Sequence, residues 1–224
     1  MAKTTVFNLI ILDESGSMSG CRKATISGCN ETIDVARRLQ KENPDTQRTF
    51  MSIYAFQSGG RPSRYLLKNV PVENVKDITE KDYDPTGCTP LYDAMGSTMV
   101  DLQAVASTHE DATGIITVIT DGYENSSTHY SREDVVKLVN AFKEMGWTVN
   151  FIGANIDALA ASRELDIDNS FQFDNTEKGT SDMFVKYSCC IDANERDRIA
   201  REKDMDLETR LQTRKSMSKR FFKK

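Results

Sequence analysis

The chain has 224 residues and 38% hydrophobic content with only five prolines, which is enough to bury one core and too apolar for a disordered polymer. Its formal net charge of −5 argues against a nucleic-acid-binding body, and no stretch approaches the roughly 18 uninterrupted apolar residues of a membrane helix. The five cysteines (Cys21, Cys29, Cys88, Cys189, Cys190) are odd in number and lack CxxC spacing, which points to reduced thiols and away from a disulfide frame or a zinc site.

In chain order, "VFNLIIL" (Val6–Leu12) is the first continuous apolar run and reads as a buried parallel strand. It is too short for a signal peptide and meets acid at once, so the expected location is the cytoplasm. "ATISGCNETIDVARRLQKEN" (Ala24–Asn43) places Ile26, Ile33 and Leu39 near one helical face, with Pro44 beyond its end. "RTFMSIYAF" (Arg48–Phe56) and "RYLLKNV" (Arg64–Val70), joined through "QSGGRPS", read as a hairpin. "PLYDAMGSTMVDLQAVAS" (Pro90–Ser107) opens on proline and repeats Leu91, Met95, Met99, Leu102 and Val105 at helical spacing. "GIITVIT" (Gly114–Thr120) and "WTVNFIGA" (Trp147–Ala154) are further buried strands, separated by a helix from Ser131 to Gly146 with Ser131 as its N-cap. A helix over Ile156–Leu165 and a short strand "SFQF" (Ser170–Phe173) follow.

Strand and helix alternate, so the expected class is α/β, a three-layer sandwich around a mostly parallel six-stranded sheet. The domain is expected over residues 4–190, with 191–224 as a charged helical or disordered tail. Residues 1–190 carry 18 bases against 27 acids, and the remainder 11 against 7. Charges at helical spacing predict an exposed helix from Glu195 to about Leu211, outside the core. The basic end, with Phe221 and Phe222, is expected to contact an acidic partner or the domain's own acidic body.

In such sheets, sites lie outside the carboxyl ends of the strands. Asp13 directly follows the first strand and Asp121 directly follows "GIITVIT", which puts both on one edge. Ser15 and Ser17 stand at alternate positions after Asp13, and Thr89 lies in a Pro/Gly-rich loop before a helix. These five are all oxygen donors with hydroxyls in the majority, a set that selects Mg²⁺, Mn²⁺ or Ca²⁺ over zinc or copper. An ion held mainly by hydroxyls keeps positive charge and attracts another anion. Glu14 and Asp93 lie close enough to contribute hydrogen bonds around the site, but read first as solvent-facing acids.

"DESGS" resembles the DxSxS signature of von Willebrand factor A domains. "GCTPLYDAM" is similar to the loop that supplies that family's threonine, and "VITDG" to the strand end that supplies its second aspartate. The resemblance implies a Rossmann-like sandwich with one antiparallel edge strand, helices on both faces, and a metal-ion-dependent adhesion site. It implies that Ser15, Ser17 and Thr89 bind Mg²⁺ directly and that Asp13 and Asp121 act mainly through water. The open position would accept a Glu or Asp of a partner protein. The expected function is therefore a protein-binding adaptor in an intracellular assembly, such as one driven by an AAA+ ATPase, with no nucleic-acid or membrane partner. Two alternatives stand beside it: a Mg²⁺-dependent phosphatase-like hydrolase and an extracellular adhesin. The hydrolase lacks the second acid it needs two residues after Asp13, where Ser15 stands, and the sequence offers no nucleophile–base pair. The expected protein is not an enzyme.

Overall fold

A computed structural model describes residues 3–223. Six strands form one sheet in the order β3-β2-β1-β4-β5-β6: β1 (Thr4–Asp13), β2 (Gln47–Phe56), β3 (Arg64–Pro71), β4 (Ala112–Thr120), β5 (Thr148–Ala154) and β6 (Asn169–Phe173). Every neighbouring pair is parallel except β2 and β3, so the hairpin supplies the antiparallel edge. The α/β three-layer expectation is met.

The continuous apolar runs are explained by burial on both faces. All ten residues of β1 are buried, and alternate side chains enter opposite cores. Ile10 and Leu12 pack with Ile33 and Leu39 of α1 (Arg22–Glu42) and with Phe184 and Tyr187 of α5 (Glu177–Glu202). Phe7, Leu9 and Ile11 pack with Met95 and Met99 of α2 (Leu91–Ala106) and with Val135, Val139 and Phe142 of α3 (Arg132–Glu144). Ala158 of the short α4 (Ala158–Glu164) closes the second layer near β5. Gly28 lets α1 and α5 approach closely, since a Cβ there would lie 2.0 Å from the Phe184 ring. Ser131 and Asp134 form a full capping box at the start of α3.

The chain beyond Ile191 departs from expectation. The residue-190 division falls inside α5, which runs unbroken to Glu202, and α6 (Leu207–Met217) folds back onto the body. Arg198, Glu195, Glu202 and Arg214 are each under 9% exposed. Arg198 pairs with Glu195 at 2.8 Å and Glu202 at 3.0 Å, and Arg214 joins Glu202 at 2.6 Å to Asp111 at 2.7 Å. Charges spaced like a solvated helix are here satisfied by one another, a pattern that periodicity alone cannot separate from exposure. Phe221 is 1% exposed beside Tyr187, and Phe222 lies 5.5 Å from the Phe171 ring in β6. The basic end therefore contacts the domain's own acidic body, including Glu144 through Lys215. Among the described residues, no helix is long and apolar enough to cross a membrane.

Candidate functional site

The sheet order makes β1 the switch point, since the chain leaves it toward β2 on one side and returns to β4 on the other. Crevices form outside the carboxyl ends of strands at such a point. Asp13 ends β1, and Asp121 follows β4 immediately. After Asp13 the chain turns into a 3₁₀ helix over Gly16–Cys21, which places the two serines above the strand ends before α1 begins.

Four of the five expected residues form one hydrogen-bonded cluster. Ser15 N–H donates to Asp13 Oδ1 at 2.7 Å, and Ser15 Oγ lies 3.1 Å from Ser17 Oγ. Ser17 Oγ donates to Asp121 Oδ1 at 2.6 Å. Thr120 Oγ1 donates to Asp13 Oδ2 at 2.6 Å. Thr89 lies beside Gly122: a Cβ built on Gly122 would sit 3.2 Å from its Oγ1, so glycine after Asp121 leaves room for that hydroxyl. Asp13, Ser15, Thr89 and Asp121 are buried, whereas Ser17 is exposed.

The loop carrying Thr89 is tied on three sides. Thr89 N–H donates to Asn125 Oδ1 at 2.9 Å, and Asn125 N–H returns to Thr89 O at 3.2 Å. Cys88 and Ser58 form an isolated antiparallel bridge, and Gly16 N–H donates to Gly87 O at 3.2 Å. Gly87 has a φ of +73°, and a Cβ on it would lie 1.9 Å from Ser58 O, so glycine is required there twice over.

Of the two acids read as solvent-facing, Glu14 is fully buried and Asp93 is partly exposed but heavily hydrogen-bonded. Glu14 is 0% exposed and receives Arg64 through both oxygens, at 2.6 and 3.0 Å. It also accepts from Gln57 Nε2 and Asp84 N–H, so it pins β1 to the edge strand and to the chain leading into the Thr89 loop. Asp93 accepts from the backbone N–H groups of Thr128, His129 and Tyr130. Burial opposes its charge, but those backbone donors outweigh it and hold the carboxyl below its ordinary pKa. A further loop staple, Glu124, accepts from Tyr92 N–H and from Ser126 and Ser127 N–H. Asn175, between β6 and α5, donates to Asp121 Oδ2 at 2.6 Å. Neither residue stands out in the sequence, because the signal is a contact across distant segments.

Electrostatics mark the two aspartates. Burial pushes Asp13 up to about 6, despite hydrogen bonds from Thr120 and Ser15 that favour its charged form. Burial also raises Asp121, against the hydrogen bond from Ser17. A nearby cation would reverse both shifts. Among the described residues, no three His, Cys, Asp or Glu side chains converge to hold a metal ion. The set is two carboxylates and three hydroxyls, and its chemistry fits a hard divalent ion. Adjacent oxygens around an octahedral ion at 2.0–2.1 Å lie about 3 Å apart. The Ser15–Ser17 separation of 3.1 Å matches that spacing.

No family model matches the chain, and no curated protein matches it in sequence. Solved structures do match in fold. The PilB minor pilin from Streptococcus sanguinis aligns at 11% identity and a TM-score of 0.56, covering 85% of this chain and 62% of that one. The SpRpn10 VWA domain aligns at 13% identity and a TM-score of 0.50, covering 80% of this chain and 93% of that one. Proximal thread matrix protein 1 from the mussel byssus, with a zinc-occupied metal-ion-dependent adhesion motif, aligns at 13% identity and a TM-score of 0.54, covering 82% and 47%. The chain thus spans less than two thirds of the pilin and about half of the byssus protein. Its fold is that of von Willebrand factor A domains.

Proposed function

We propose that the chain is a divalent-cation-dependent protein-binding module. The carrying observation is the cluster at the strand ends, where Asp13, Ser15, Ser17 and Asp121 share hydrogen bonds, with the Thr89 hydroxyl beside Gly122, the residue after Asp121. Ser15, Ser17 and Thr89 would hold Mg²⁺ directly, and Asp13 and Asp121 would act through water. A bound ion would supply Lewis acidity toward a carboxylate. The protein supplies a low charge count: three neutral hydroxyls would leave such an ion incompletely neutralised and receptive to a partner's Asp or Glu. Thr120 and Ser15 N–H fix Asp13, Ser17 meets Asp121, and Glu14 with Arg64 steadies the approach to the Thr89 loop.

Binding is favoured over catalysis because Asp13 is fully buried with both oxygens already accepting hydrogen bonds, a poor arrangement for a nucleophile. The location we favour is the cytoplasm, where reduced cysteines such as Cys21, Cys29 and Cys88 persist. A pilin among the structural neighbours makes the extracellular adhesin the alternative to test. An intracellular assembly, including one driven by an AAA+ ATPase, is the proposed setting.

Calorimetric titration of the chain with Mg²⁺ and Mn²⁺, beside Thr89→Ala, tests the reading. Saturable one-to-one binding that weakens at least tenfold in Thr89→Ala is expected. Capture of partners from the native cell should vanish in EDTA and return with Mg²⁺. Partner capture at full strength in chelator, or Mg²⁺-dependent hydrolysis of small phosphate esters, would overturn it.

A further inference from the structure

We propose that Asn175 restricts the site to a small octahedral ion by occupying one oxygen of Asp121. The inference rests on the cation-binding reading above. Asn175 precedes Thr176, whose hydroxyl caps α5 by accepting from Gly179 N–H at 2.9 Å, so its backbone position is set by the start of a 26-residue helix. Its Nδ2 donates to Asp121 Oδ2 at 2.6 Å and to the backbone oxygen of Ser17 at 3.3 Å. Its own Oδ1 is buried with no partner among the described residues, so the groups receiving Nδ2 set the orientation of the amide.

The effect on Asp121 is to divide its two oxygens. Oδ2 faces the amide, while Oδ1 faces Ser17 Oγ at 2.6 Å and the serine cluster. Asp13 is divided in the same manner, with Oδ2 toward Thr120 and Oδ1 toward Ser15 N–H. Neither carboxylate presents a pair of free oxygens to a common point. Ca²⁺ takes six to eight oxygens at longer distances and exploits carboxylates that bind through both atoms. Mg²⁺ takes six at short distances and is content with single oxygens and water. The residue type also matters. A neutral amide donates to Asp121 without adding a cation that would repel the ion, and without adding a third carboxylate that would favour the larger one.

Calorimetric titration of the intact chain with MgCl₂, MnCl₂ and CaCl₂ tests this in the wild type, Asn175→Ala and Asn175→Asp. The expected wild-type order places Mg²⁺ and Mn²⁺ above Ca²⁺. Asn175→Ala should shift the Ca²⁺-to-Mg²⁺ affinity ratio toward Ca²⁺ on the order of tenfold, and Asn175→Asp should shift it further. Thermal unfolding of the three proteins in EDTA reads any purely structural contribution, which would weaken all three ions by one common factor. An unchanged ratio, or that common weakening, overturns the inference while leaving the cation site standing. A wild-type chain that binds none of the three ions overturns both.

Discussion

Thr120 and Asp13 lie 107 positions apart, and the hydroxyl of the first donates a 2.6 Å hydrogen bond to Oδ2 of the second. Thr120 Oγ1 also accepts from Gly122 N–H at 3.1 Å, so one side chain fixes both the buried carboxylate and the turn that carries Asp121. The hydrogen bond joins the ends of two neighbouring strands, β1 and β4. It makes the floor of the site a property of the sheet and leaves only the rim to the loops.

The first prediction concerns pH. Burial lifts Asp13 to about 6 from its ordinary 3.8, so between those values the folded chain holds a proton that the unfolded chain has released. Stability in chelator therefore decreases as pH rises through that window, by up to about 3 kcal/mol from this group. Asp13→Asn removes the dependence. Urea denaturation of both proteins in EDTA should give equal stabilities near pH 4, with the variant the more stable at pH 7. Parallel profiles would contradict the assignment.

The second concerns Gly87. Its φ of +73° and the 1.9 Å that would separate an added Cβ from Ser58 O make Gly87→Ala a double violation. A loss of about 1–3 kcal/mol is expected. Because the same loop carries Thr89, divalent affinity should fall more than in a core variant such as Ile33→Val that also destabilises the fold. Equal affinity in the two variants, measured by calorimetry, would separate the loop from the site.

Glu14 supports the third. Arg64 grips both its oxygens, and Glu14 in turn raises the pKa of that guanidinium. Glu14→Gln keeps the shape and removes the charge, at a cost of about 2 kcal/mol. Chemical denaturation gives the value. A neutral result would mean that the pair contributes only packing.

The fourth concerns the C-terminal network. Asp111→Ala would leave Arg214 and Arg210 beside a buried gap, since both pair with Asp111 at 2.7–2.8 Å. The expected loss is about 3–5 kcal/mol, as for other buried pairs broken on one side. Removing residues 210–224 should likewise lower the melting temperature by many degrees, because Phe221 is part of the core. A truncated chain that melts with the parent would show the tail to be dispensable.

Much of this was legible in the sequence where the physics is local. Continuous apolar runs marked the parallel strands, and their ends located Asp13 and Asp121 on one edge. Alternating oxygens marked Ser15 and Ser17, and the Pro/Gly-rich loop before a helix added Thr89, which the family resemblance then matched. Contacts between distant segments were not legible. Glu14 has nothing in its neighbourhood that announces Arg64 fifty positions on. Asn175 sits in an ordinary loop-to-helix junction. Arg198 and Glu202 follow the same spacing as a solvated ion pair, and only the return of α6 encloses them.

The central placement of β1 has one more consequence. Its ten residues are flanked by parallel neighbours on both sides and covered above and below, so its amides should be among the slowest in the molecule to exchange with deuterium. The ground beneath Asp13 is therefore stiff, and the Thr89 loop beside it is held by its own hydrogen bonds to Asn125, Ser58 and Gly16. Any guest would find its footing fixed in advance.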